Sequence, residues 1–178
     1  MSALADADLQ RRAAAIELAV FDVDGVLTDG RLILDDHGTQ TKAFHVRDGL
    51  GLKALMRHGI QVAVITARSS GVVERRMAEI GVAHLRQGAG DKEAALAELL
   101  AGLGVDGART SFMGDDLIDW SAMKLCGLSA APGDADAWIR GRVDLVTSAT
   151  GGCGAVREFC ELLLAARGAL KAWQDSYL

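Results

Sequence analysis

Residues 18–28 read Leu-Ala-Val-Phe-Asp-Val-Asp-Gly-Val-Leu-Thr, an apolar run that ends on two carboxylates one residue apart. The run over 18–23 has the length and composition of a strand buried on both faces, which is how the strands of a parallel sheet read. Asp22 and Asp24 fall at its carboxyl end, and Gly25 lets the chain turn close to whatever these acids hold. An aspartate-rich loop also suits calcium. An EF-hand loop, however, requires glycine at its sixth position and an acid at its twelfth. Counted from Asp22, the glycine is fourth and the twelfth residue is Ile33, so the calcium reading fails.

Outward from this stretch, short apolar runs alternate with helical patterns. Strands are predicted over 61–65, 84–86, 110–113, 128–130 and 144–146. Helices are predicted over 6–16, 50–58, 72–80, 92–103, 117–125, 135–140 and 155–167. This alternation is the signature of an α/β fold, a Rossmann-like three-layer sandwich with a central parallel sheet. One segment breaks it. Residues 31–46, RLILDDHGTQTKAFHV, carry two strand-like halves around Asp35-Asp36-His37-Gly38, which reads as a turn. A projecting β-hairpin is predicted there. Leu32, Ile33 and Leu34 are consecutive, so both faces want cover that a lone hairpin lacks. The same hairpin of other subunits would supply it.

With 178 residues, the chain is predicted to form a single domain over 1–178, closed by a C-terminal tail over 168–178. Half of the residues are apolar, enough for a sizeable core. Nineteen basic against 24 acidic residues give a net charge of −5, which disfavours nucleic acid as a partner. Aromatic residues, at 4 %, leave few platforms for stacking bases. The first dozen residues lack the basic start and apolar stretch of a secretory signal, and no run approaches the length of a membrane span. A cytoplasmic protein is expected, with no membrane partner. Cys126, Cys153 and Cys160 have no metal-binding spacing and read as free thiols.

Three further stretches carry chemistry. Gly114-Asp115-Asp116-Leu117-Ile118-Asp119 follows the strand at 110–113. Acids that open a helix often do no more than cap it. Yet Asp22 and Asp115 both fall at carboxyl ends of strands, the edge where open α/β sheets bind ligands. Two carboxylates 4 Å apart repel by roughly 4 kcal/mol at an effective dielectric of 20. A bound cation relieves this, and an all-oxygen donor set indicates Mg²⁺. Thr66 ends the strand at 61–65, and the following Ala67-Arg68-Ser69-Ser70 opens a helix, a favourable place for phosphate. Lys92 opens the helix at 92–103, where a cation opposes the helix dipole and so invites a functional reading.

In order, DxDGxLT, Thr, Lys and GDDxxD, each at a strand's carboxyl end, resemble the haloacid dehalogenase superfamily of phosphohydrolases. That resemblance implies that Asp22 is the nucleophile and forms an aspartyl-phosphate. It implies that Asp24 protonates the leaving oxygen and then takes a proton from water. Thr66 and Lys92 would hold the phosphoryl oxygens. Mg²⁺ would be bound by Asp22, the backbone carbonyl of Asp24, and Asp115, with Asp116 and Asp119 in support.

DVDGVLTDG at 22–30, AFHVRDG at 43–49, GDDLIDW at 114–120 and GGCGAVRE at 151–158 are similar, more narrowly, to the capless 3-deoxy-D-manno-octulosonate 8-phosphate (KDO 8-phosphate) phosphatases. These are Mg²⁺-dependent homotetrameric hydrolases of lipopolysaccharide biosynthesis, with hairpins packed centrally. The resemblance implies a phosphoric monoester hydrolase that releases KDO and inorganic phosphate from a sugar-acid phosphate. Arg47 and Arg68 suit carboxylate or phosphate recognition, and Thr28 and Ala67 are further candidate substrate contacts. Two positions depart from the pattern: Ala67, where glycine is more frequent, and Cys153, where a basic residue is frequent. Two alternatives stand beside this reading. One is a phosphatase of a nine-carbon sugar-acid 9-phosphate, KDN or N-acylneuraminate. The other is a phospho-accepting signalling domain, although the spacing of Asp22 and Asp24 and the proton-handling Asp24 suit turnover better than a persistent phosphoryl signal.

Overall fold

In the computed structural model, which describes residues 6–178, the central sheet has six parallel strands. They are β1 (Leu18–Phe21), β4 (Gln61–Ile65), β5 (His84–Arg86), β6 (Thr110–Met113), β7 (Leu128–Ala131) and β8 (Leu145–Val146), in the order β5-β4-β1-β6-β7-β8. From β1 the chain builds outward on one side through β4 and β5. It then crosses back and builds the other side through β6, β7 and β8. The reversal opens a crevice at the carboxyl ends of β1, β4 and β6, the place where doubly wound sheets bind ligands.

The three layers follow from the period of two in β1. Leu18 and Val20 face one core, with Leu96 and Leu99 of α4 (Lys92–Leu103), Met123 of α5 (Trp120–Met123) and Ile139 of α6 (Ala137–Arg140). Ala19 and Phe21 face the other core. There they meet Leu9 of α1 (Ala7–Ala14), Leu55 of α2 (Val46–Arg57), Met77 of α3 (Gly71–Ile80) and Phe159 of α7 (Ala155–Ala166). Both faces of β1 are buried, as its unbroken apolar run predicts.

Several boundaries differ from those predicted. The first strand stops at Phe21 because three consecutive amides, those of Val26, Leu27 and Thr28, turn back onto the Val23 carbonyl. The helix predicted over 117–125 is a 3₁₀ turn, Leu117–Asp119, followed by the four residues of α5. Its first turn is pulled tight because the Asp119 side chain accepts the backbone N–H groups of Asp115 and Asp116. The predicted hairpin is present and short: β2 (Ile33–Leu34) pairs antiparallel with β3 (Gln40–Thr41). Asp35 closes its turn by accepting the N–H groups of His37 and Thr39. Leu32, Ile33 and Leu34 are 47–61 % exposed on it, the uncovered surface that the sequence implies. The tail over 168–178 contains α8 (Leu170–Asp175), which lays Trp173 into the core beside α7. The Arg157 guanidinium stacks over that indole at 4.5 Å.

Candidate active site

The carboxyl edge of the sheet carries a cleft of about 240 Å³ lined by Asp22, Asp24, Thr66, Ala67, Arg68, Lys92, Asp115 and Asp116, with Leu32 and Ile118 at its rim. Four separate sheet connections thus converge, as the sequence predicts. Asp22 leaves β1 with its amide bonded to the Met113 carbonyl of β6, which fixes its height in the sheet. Gly25 has φ +91°, and a β-carbon there would lie 2.0 Å from Asp115 Oδ2. Only glycine lets the loop after β1 approach the one after β6 so closely.

At the centre, carboxylate oxygens of Asp22, Asp115 and Asp119 all lie within 4.8 Å of one another. Lys92, with a side chain only 1 % exposed, sends Nζ to 2.5 Å from Asp119 Oδ1 and 2.9 Å from Asp22 Oδ1. The contact with Asp119 is a hydrogen bond. The contact with Asp22 is an ion pair whose angles are too poor for one, so Asp22 Oδ1 is a buried oxygen without a hydrogen-bond donor among the described residues.

The electrostatics follow from this crowding. Burial, then the charge of Asp119, push Asp22 up to about 7 against the pull of Lys92. Burial pushes Asp115 up to about 8, and Asp119, Asp22 and Asp116 add to it. Burial draws the Lys92 ammonium down, but Asp22 and Asp119 outweigh it and hold its value above the usual one. One ammonium therefore stands against three acids. That excess of hard oxygen donors, one of them unpartnered, fits a divalent cation such as Mg²⁺.

The expected residues do not all share one place. Thr66 is buried in the cleft wall, beside the exposed Ala67 and Arg68. Asp24 is not part of the three-carboxylate cluster, and its side chain accepts from Lys42. Thr28 is not on the cleft lining: it is buried, donates to the Val23 carbonyl at 3.3 Å and faces Asp24 Oδ1 at 3.4 Å. Arg47 is exposed on the first turn of α2, also outside the lining residues. Its amphipathic helix turns Asp48 inward and leaves Arg47 on the outer face.

Two contributions had no sequence signal strong enough to single them out, and a third was assigned only a supporting place. Lys42, which no motif singled out, is buried with a side chain 1 % exposed, and its ammonium donates to Asp24 Oδ1. Asp119, expected only in support, is fully buried as the main partner of Lys92. Asp48 of α2 caps α7 from a distance, accepting the N–H groups of Arg157 at 2.8 Å and Gly154 at 3.3 Å. The glycines of the GGxGA element also gain a reason. A β-carbon on Gly151 would lie 1.8 Å from the Gly25 carbonyl oxygen, and one on Gly152 would lie 2.4 Å from the Thr28 carbonyl carbon. The segment before α7 thus packs backbone against backbone on the loop that bears Asp22 and Asp24.

No family model matches the chain. Among curated proteins, it is 45 % identical over 164 residues to the 3-deoxy-D-manno-octulosonate 8-phosphate phosphatase of Escherichia coli, spanning 92 % of this chain and 87 % of that one. Among solved structures, the phosphatase of the same name from Yersinia pestis superposes with a TM-score of 0.90 at 44 % identity, covering 92 % of this chain and 89 % of that one. The Moraxella catarrhalis phosphatase, solved with a magnesium ion, a phosphate ion and a KDO molecule, superposes with a TM-score of 0.93 at 42 % identity, covering 96 % and 98 %. A Legionella pneumophila hydrolase of the haloacid dehalogenase superfamily superposes at 0.92 with 41 % identity, covering 96 % and 94 %. With the carboxylate cluster, the buried lysine and the threonine at the ends of the expected strands, and with this identity along nearly its whole length, the chain belongs to the 3-deoxy-D-manno-octulosonate 8-phosphate phosphatase family of the haloacid dehalogenase superfamily.

Proposed function

We propose that this protein hydrolyses KDO 8-phosphate to KDO and inorganic phosphate, with Mg²⁺, as a step of lipopolysaccharide biosynthesis. The observation that carries the reading is the buried Asp22–Lys92–Asp119 constellation facing Asp115 across a cleft walled by Thr66.

Phosphoryl transfer depends mostly on positioning and charge neutralisation. Asp22 attacks phosphorus, the bond from phosphorus to the sugar oxygen breaks, and Asp24 gives that oxygen its proton. Water then attacks the phosphorus of the aspartyl-phosphate, Asp24 takes its proton, and Asp22 is released as a carboxylate with inorganic phosphate. Thr66 and Lys92 hold the phosphoryl oxygens. Asp22, Asp115 and the backbone carbonyl of Asp24 would hold Mg²⁺, which supplies positive charge against the phosphoryl group. Asp119 keeps Lys92 aimed at Asp22. Arg68, 55 % exposed at the cleft mouth, is placed for an anionic group of the sugar.

Among the described residues nothing covers the cleft as a cap domain would, and the hairpin exposes Leu32, Ile33 and Leu34. A homotetramer with these hairpins packed together covers that surface and brings neighbouring chains to each cleft. Light scattering checks it, a monomer being the contrary result. No helix among the described residues is long and apolar enough to cross a membrane.

Phosphate release from KDO 8-phosphate, KDN 9-phosphate and N-acylneuraminate 9-phosphate, each with and without Mg²⁺, tests the assignment. Preference for KDO 8-phosphate supports it. Equal or better turnover of either nine-carbon ester moves the assignment to that substrate.

A further inference from the structure

Lys42 stands in the base of the hairpin, directly after β3, and its side chain is almost fully buried. Burying an ammonium is costly unless it is paired, and a methionine of similar shape would fill the same space without that cost. Its ammonium donates to one oxygen of Asp24, Oδ1. The Thr28 hydroxyl faces the same oxygen at 3.4 Å. Asp24 Oδ2 is on the other side, with Arg68 Nε of the cleft wall 3.9 Å away. The two carboxyl oxygens of Asp24 are therefore not equivalent: one is held by a buried donor, and the other is directed to the cleft.

We infer that Lys42 is a positioning residue for the phosphatase reaction, holding Asp24 through Oδ1 so that the proton of the acid is carried on Oδ2 and delivered to the leaving oxygen of the substrate. Protonating the oxygen that accepts from an ammonium would weaken that ion pair, whereas Oδ2 has no buried donor to lose. The proton thus resides on the free oxygen. After transfer, Lys42 keeps the carboxylate oriented toward the water that enters in the second half of the reaction. Catalysis by a positioned acid is sensitive to such placement, since an ångström of error costs about a hundredfold. This inference rests on the phosphatase reading and on Asp24 as its acid.

The leaving group separates positioning from mere support of the hairpin. KDO 8-phosphate expels an alcohol, which needs a proton as the bond breaks. p-Nitrophenyl phosphate expels a stabilised phenolate, which hardly does. Single-turnover rates of both esters with Mg²⁺ are to be compared between wild type and Lys42→Met. The expected result is that the ratio of the KDO 8-phosphate rate to the p-nitrophenyl phosphate rate falls tenfold or more in the variant. A loss in equal proportion on both esters, or no loss on either, overturns the inference while the wild-type activity keeps the phosphatase reading. A wild type that hydrolyses neither ester overturns both. Thermal unfolding checks that the variant is folded. If it is not, Lys42→Gln, which keeps a polar end at the hairpin base, is read by the same ratio.

Discussion

Lys92 Nζ donates a 2.5 Å hydrogen bond to Asp119 Oδ1, joining the first residue of α4 to a turn 27 positions later. Both groups are buried, and the same ammonium reaches Asp22. Lys92 thus has two tasks: it neutralises the nucleophile's surroundings, and it ties the loop after β6 to α4. Lys92→Met is expected to lower kcat by at least about a hundredfold, as for loss of a principal electrostatic contact. It is also expected to cost about 3 kcal/mol of stability at pH 8, because it strips a buried pair of one partner. Steady-state kinetics and urea unfolding measure the two effects separately.

Asp22→Asn removes the nucleophile and is expected to abolish turnover. Its fold should be retained, because the change relieves repulsion within a cluster of acids. Retention of wild-type activity with KDO 8-phosphate would contradict the assignment of Asp22.

In the metal-free protein Asp115 contributes a pH dependence to which Asp22, pushed up to about 7, adds. The folded value of Asp115, about 8, lies above that of an unfolded aspartate. Between pH 4 and 8 the folded state therefore holds more protons than the unfolded one, and stability falls as pH rises through this window. Asp115→Asn should match wild type near pH 5 and melt higher near pH 8.5 when metal is chelated. Mg²⁺ should then raise the melting temperature of wild type and raise that of the variant far less.

Asp144 behaves in the opposite sense. Burial pushes it up, but Arg12 and the Ser129 donors outweigh this and hold it below the usual carboxylate range. Its stabilising effect is thus present above about pH 4 and is lost as pH falls through the folded value. It accepts both the N–H and the hydroxyl of Ser129 and pairs with Arg12 of α1 at 2.9 Å. Asp144→Ala should cost about 1–2 kcal/mol at pH 7, with a smaller gap at pH 3 in urea unfolding.

Gly151→Ala places a methyl group on the Gly25 carbonyl, against backbone that has no room to yield. Destabilisation of about 2 kcal/mol or more is expected, in the range of overpacked cores. Activity should fall with it, because the loop that is pushed carries Asp22 and Asp24. An alanine variant as stable and active as wild type would show that the two loops are not in contact.

The order of elements was legible because short, largely apolar stretches alternate with helical patterns along the chain. Strands over 61–65, 84–86 and 110–113 coincide with those of the structure. Asp22, Thr66 and Asp115 were legible as well, because each lies within two residues of a strand end, and Lys92 because it opens α4 against the helix dipole. The helix at 117–125 was not, since its first turn is reshaped by Asp119 bonding back to two amides. Arg47 lies outside the cleft lining of its own chain, and spacing near a motif does not say which face of a helix a side chain takes.

The sequence by itself determined the layered α/β architecture, the strand ends at which chemistry occurs and the kind of cation they suit, since all of these follow from local polarity patterns and side-chain type. Only the tertiary structure decided what each charge faces. Lys42 meets Asp24 over 18 positions, Asp48 caps α7 over more than a hundred, and Gly151 meets Gly25 over 126. Contacts across such distances depend on how the sheet brings loops together, and no local pattern along the chain records them.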